Sequence, residues 1–146
     1  MFSLFEKWFA YNFEANKSWS KQLVLFENDL TDYCIRSMSH IINVEHLWLS
    51  RILGKTVESG DWDVLPLSHF ERFHVDNHVL FEQISLQFSE DQLITYTNSE
   101  KMIQNKLLSD LLFHVLSHSN YHRAQIAKEF RLLDLPVIPT NYIEFC

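Results

Sequence analysis

The sequence predicts an all-α fold built on four long helices, and three observations carry that expectation. Gly occurs twice and Pro three times in 146 residues, so little in the chain interrupts a helix. Apolar residues recur three or four positions apart through most of its length, which is the period of an amphipathic helix. Twelve Phe, four Trp and five Tyr supply the large faces that helix-on-helix packing buries. At 17.5 kDa the chain is expected to form one domain over 1–146 with a core of its own.

The first helix is expected over 2–26, with Phe5, Trp8, Phe9, Asn12 or Phe13, Trp19, Leu23 and Phe26 along one side and a bend near Ser18 to Ser20. Asn28, Asp29, Thr31 and Asp32 break the pattern and offer N-caps. A second helix follows over 30–53, stopped by Gly54, with an inward stripe of Tyr33, Ser37 or Met38, His40 and Ile41, Val44, Leu47 and Trp48, and Ile52. Residues 54–67 hold both glycines and a proline, so they form the longest loop, and such loops often edge a site. Ser68 can cap a third helix over 69–88, with Phe70, Phe73, Asn77, Leu80 and Phe81, Ile84 and Phe88 inward. Leu93 to Thr97 then has strand character, and a turn at Asn98–Ser99 closes a short two-stranded hairpin. The fourth helix runs from Leu107 to Phe130. After it, two prolines keep the last residues extended across the bundle, with a short turn at the end.

Charge and composition exclude several classes. A net charge of −7 leaves no basic surface for nucleic acid. No run of about 20 apolar residues is present to span a membrane. The start, M-F-S-L-F-E-K-W-F, lacks the basic-then-apolar design of a signal peptide, so a cytoplasmic location is expected. Cys34 falls inside a helical stretch and Cys146 is the last residue, which suits reduced thiols rather than a disulfide.

Eight His is a high count for this length, and their spacing points to chemistry. His114, His118 and His122 stand four residues apart on the fourth helix. Residues so spaced lie about 40° apart around the axis and about 6 Å along it, so they share a face. Two such imidazoles can converge on one metal ion and need a third ligand from elsewhere. A pair of this kind also arises by chance in a His-rich chain. Here the pairs share their face with Leu111 and Val115, and a buried imidazole needs a partner. His40, on the inward stripe of the second helix, can supply the third nitrogen. His74 and His78 form a rival pair on a more polar face beside Asp76 and Asn77. His46 sits in a polar setting, and His69 at a helix start.

In S-H-I-I-N-V-E-H-L-W-L-S-R-I-L-G (39–54), D-L-L-F-H-V-L-S-H-S-N-Y-H-R-A-Q-I (110–126) and the ending L-P-V-I-P-T-N-Y-I-E-F, the chain resembles the DinB/YfiT-like family of small four-helix metal-binding proteins. The hairpin segment L-I-T-Y-T-N-S-E-K falls where that family has its own, so the likeness spans nearly the whole chain. The resemblance implies an up-down-down-up four-helix bundle and a divalent ion held by His40, His118 and His122, with His114 in a supporting place. Zn or Ni is the expected metal. Ala124 departs from the family's usual Gly, and Asn141 from a common Asp.

Three neutral imidazoles leave a divalent ion its full charge and at least one open position. Cys34 lies about 120° around the helix from His40, and Glu45 about 140°, so neither closes the site by helix geometry. The resemblance implies either thiol-dependent S-transfer or metal-dependent hydrolysis or isomerisation, on a small molecule or a thiol. A non-catalytic metal-binding or stress-associated protein whose ion braces the bundle stands as the alternative. Asn43, Glu45, Tyr121 and Gln125 are candidates to orient a ligand or move a proton. The aromatics Phe2, Phe5 and Trp8, taken as exposed, together with the family's habit, lead us to expect a homodimer.

Overall fold

Twenty-three consecutive residues with no Gly or Pro form the first helix, α1 (Ser3–Leu25), in a computed structural model that describes residues 3–146. The helix runs unbroken through Ser18 and Ser20, since nothing in that stretch removes a backbone hydrogen bond. A short 3₁₀ turn, Glu27–Asp29, leads into α2 (Asp32–Ile52). Gly54 follows with φ of +71°, the left-handed geometry that ends a helix without steric cost. A second 3₁₀ turn, Leu67–His69, precedes α3 (Phe70–Gln87), whose N-cap position is His69 rather than Ser68. The hairpin forms as expected, with β1 (Leu93–Thr97) antiparallel to β2 (Ile103–Leu107) and Tyr96 opposite Gln104. Its turn reaches to Met102, because the Asn98 side-chain oxygen accepts from the Glu100 and Met102 amides. Then come α4 (Leu108–Leu132) and a final short helix, α5 (Tyr142–Phe145). None of the described helices is long and apolar enough to cross a membrane.

The chain is thus mostly helical, with four long helices and one small sheet. α2 packs on α3 and α4, and α1 packs on the same two, while α1 and α2 meet sparsely. The core divides into two apolar clusters. One gathers Phe5, Phe9, Leu49, Ile52, Phe81, Ile84, Leu108 and Leu112, and includes a Phe9–Phe81 stack with ring centroids 4.0 Å apart. The other gathers Trp19, Leu23, Cys34, Met38, Ile41, Phe70, Ile126 and Phe130. Each long helix contributes to both clusters and carries buried polar residues between: Asn12 and Asn16 on α1, Asn43 and Glu45 on α2, His74 and Asn77 on α3, Ser119 and Arg123 on α4. α1 and α4 visit the clusters in one order, α2 and α3 in the reverse order.

Two expected faces shift. Phe5 is 7 % exposed, buried with Phe9 because both belong to the 5-9-12-16-19-23 stripe, so it is no surface aromatic. Trp8 is half-buried against it, edge to face, and Phe2 lies outside the described residues. On α2, Tyr33 faces solvent and Cys34 takes the inward place, starting a 34-38-41-45-49-52 stripe.

Candidate metal centre

His40, near the middle of α2, meets His118 and His122, one turn apart on α4. A ring nitrogen from each lies within 4.8 Å of the other two, and the group contains no carboxylate or thiol. The Nε2 atoms of His40 and His118 are 3.0 Å apart. The His40 ring stands nearly perpendicular to that of His122, with centroids 4.7 Å apart.

Hydrogen bonds fix which nitrogen two of the rings present. The His40 Nδ1–H donates to the Asp61 carbonyl over 2.8 Å. A carbonyl only accepts, so a proton sits on Nδ1, and Nε2 is the atom turned to the other histidines. His122 does the same with the Gln125 side-chain oxygen, also at 2.8 Å. Burial pushes the His118 pKa down to about 3, helped by the neighbouring His122, His40 and His114. Burial lowers His122 as well, against the opposing pull of the Gln125 bond, with His40 adding to the lowering. Burial thus favours neutral His118 and His122, the form that ligates a metal, and His40 turns its Nε2 toward them. Lone pairs facing each other at this spacing repel unless a proton or cation lies between them. Three Zn–N bonds of about 2.0–2.1 Å at tetrahedral angles would set the nitrogens about 3.4 Å apart, against 3.0 Å between His40 and His118 and no more than 4.8 Å for any pair. The residues fit a divalent ion.

The loop between α2 and α3 closes over His40. Trp62, 55 % exposed, stacks on the His40 ring with centroids 3.6 Å apart and an interplanar angle of 5°. Asn43 Nδ2 donates to the Asp63 carbonyl over 2.8 Å, and the Leu65 amide donates to Ser39 Oγ over 3.0 Å. The Gly60 amide donates to the Asp63 carboxylate over 2.7 Å, and a Cβ on Gly60 would come within 3.0 Å of that carboxylate. Neither Asp61 nor Trp62 is marked by any histidine-like spacing; only the position of both glycines in one loop hinted at this edge.

The other candidates fall into place around the cluster. His114 is exposed, packs edge-on against Trp48 at 5.2 Å, and stays outside the three-nitrogen group. Tyr121 is exposed, with its ring edge to face with His122. Glu45 turns away into the polar layer, where its carboxylate accepts from Asn12 Nδ2 at 3.0 Å and Ser119 Oγ at 3.5 Å. Cys34 is buried and free, its thiol pushed up to about 12 by burial and then by Glu129. His74 is a core residue bonded to Ser20 Oγ at 2.7 Å, and His78 stacks on Phe13. His46 bonds Asn77 Oδ1 at 3.3 Å. Ala124 is exposed, so a side chain there strains no packing.

A search of curated proteins returned no match. A sequence model of the DinB family matches residues 34–146, which takes in α2, the hairpin, the three histidines and the C-terminal segment. The chain belongs to the DinB family.

Proposed function

We propose that this is a divalent-metal protein, taking Zn or Ni, in which His40, His118 and His122 hold the ion and leave a coordination position open for a small thiol or a water. The observation that carries the reading is the convergence of three imidazole nitrogens, with no fourth donor joining them among the described residues. When bound, such an ion lowers the pKa of a coordinated water or thiol toward neutrality, supplying a nucleophile for thiol transfer or hydrolysis. The chain's own part is orientation. The Asp61 carbonyl and Gln125 fix two of the rings, as partners of ligating histidines do. Trp62 walls one side of the His40 ring. The up-down-down-up bundle of the family is part of this reading, and the reversed order in which α2 and α3 visit the two core clusters supports it.

A second reading has its own support. His40 belongs to α2 and to the loop bond at Asp61, whereas the other two histidines belong to α4. An ion there would cross-link three parts of the fold and brace them without any reaction. Metal analysis and cobalt substitution separate the cases. About one ion per chain is expected in the native protein, and His118→Ala should lose stoichiometric uptake, a removed ligand costing well over the 10–100-fold typical of a supporting group. Uptake that survives His118→Ala, or that only His74→Ala abolishes, refutes the site. A cobalt spectrum that shifts on adding a thiol supports the open position; one indifferent to thiols and anions supports the bracing role.

A further inference from the structure

Arg123 follows His122 in sequence but lies about 100° further round α4, on a different side from the histidines. The residue is 3 % exposed. Its Nη1 donates to Asn12 Oδ1 and Asn16 Oδ1, both at 2.7 Å, while its Nε is buried with no acceptor. None of the described carboxylates forms an ion pair with it. Glu45 approaches it only through Asn12, whose Nδ2 donates to that carboxylate. Glu45 is itself pushed up to about 7, chiefly by burial, so it compensates the guanidinium weakly at neutral pH. A buried cation without a carboxylate partner is costly, and an anion brought against its guanidinium is correspondingly favoured.

The guanidinium lines two adjoining hollows of about 410 and 480 Å³. They share Asn120, Arg123, Thr140 and Asn141, and together form one groove between α1, α4 and the irregular C-terminal strap, residues 135–141. Trp8, Leu116 and Tyr142 line the apolar end, and Arg131 the other. Although the chain carries a net charge of −7, no Asp or Glu lines either hollow. The strap that roofs the groove is fastened by Tyr11, whose hydroxyl donates to the Thr140 carbonyl, and by Trp19 Nε1, which donates to Thr140 Oγ1 at 3.4 Å.

We propose that this groove binds a small aromatic carboxylate, its anionic head on Arg123 and its ring against Trp8 and Leu116. Arg is the residue suited to such a head, since its planar donors match a carboxylate and it keeps its charge when buried. A concave hollow with an apolar wall and a convergent cation is the general form of a small-molecule site. The proposal stands apart from the histidine cluster.

Titration calorimetry on the full-length protein tests it, with 3-phenylpropionate as probe and its neutral amide as control. The acid is expected to bind at least about five-fold more tightly than the amide, a charge-assisted hydrogen bond being roughly twice as strong as a neutral one. Arg123→Gln should abolish that preference. Because loss of a buried Arg could unfold the chain, Ser117→Trp provides a second variant: Ser117 is an exposed residue of the groove, and the larger side chain should block binding while Arg123 stays in place. The acid should bind equally well after chelator treatment. Equal affinity for acid and amide, no heat at millimolar probe, or binding that disappears with the metal would each overturn the proposal.

Discussion

Glu45 and His74 sit in the same polar layer and are moved in opposite directions by the same cause. Burial raises Glu45 from 4.5 to about 7, with Asn12, Arg123 and Ser119 pulling the other way. Between those values the unfolded chain gives up its proton while the folded chain keeps it. The stability this acid contributes below pH 4.5 is therefore lost as pH rises through about 7. Burial lowers His74 from 6.5 to about 3, so its contribution is present above 6.5 and is lost as pH falls toward 3. Glu45→Gln removes the first slope and leaves the second. Thermal melts across this range are expected to show the native protein losing ground to the Gln variant as pH rises from 4.5 to 7; a constant difference would contradict the burial account. The same pair of residues marks what sequence reading could resolve. His74–His78 and His118–His122 have identical spacing, and only the third nitrogen, from His40, distinguishes a ligand set from a core histidine bonded to Ser20.

Among the elements, the long helices were legible because so few residues break them, and His118 with His122 because i,i+4 spacing survives as geometry on a helix. The loop between α2 and α3 was legible only as a loop. Its hold on His40 runs through backbone atoms of Asp61, Asp63 and Leu65, and backbone groups leave no mark on a sequence. Phe5 was misplaced for a related reason: a helix with aromatics on several sides has no single apolar face until its neighbours choose one. Trp62 gives this loop an optical handle. With its indole lying flat on His40, a cation on that ring should perturb its emission. Adding Zn or Ni to chelator-treated protein is expected to change tryptophan fluorescence saturably, and Trp62→Phe should remove most of the change although three other Trp remain. An unchanged signal in the native protein would place the ion away from His40.

For the molecule as a whole, we propose self-association into a homodimer. Large apolar side chains remain outside the core on several elements, among them Leu86 at 86 %, Phe113 at 60 % and Ile143 at 80 % exposure. Two copies at −7 each repel one another, so the association should strengthen with salt as that repulsion is screened. Light scattering is expected to give twice the 17.5 kDa chain mass at moderate ionic strength. A mass of one chain at high concentration and high salt would exclude the dimer. The groove beside Arg123 belongs to this scale too: it exists because the C-terminal strap crosses α1 and α4, and no local pattern announces a cavity made by three distant segments.

The two bonds from Arg123 Nη1 also govern alignment. Asn12 and Asn16 are one turn apart on α1 and both hold the same nitrogen of α4. Phenylalanine faces such as Phe9 on Phe81 tolerate slippage, because one ring can stack on another at many offsets. A guanidinium gripped from two successive turns cannot follow. Sliding α1 by a turn, about 5.4 Å, would take one amide out of reach and bring either Trp8 or Ser20 to its place. A single buried polar group on a helix seam can set register at some expense in stability. Here it indexes α1 against the helix that carries His118 and His122, so the same detent that keeps the bundle in step keeps the metal-facing side of α4 at a fixed height.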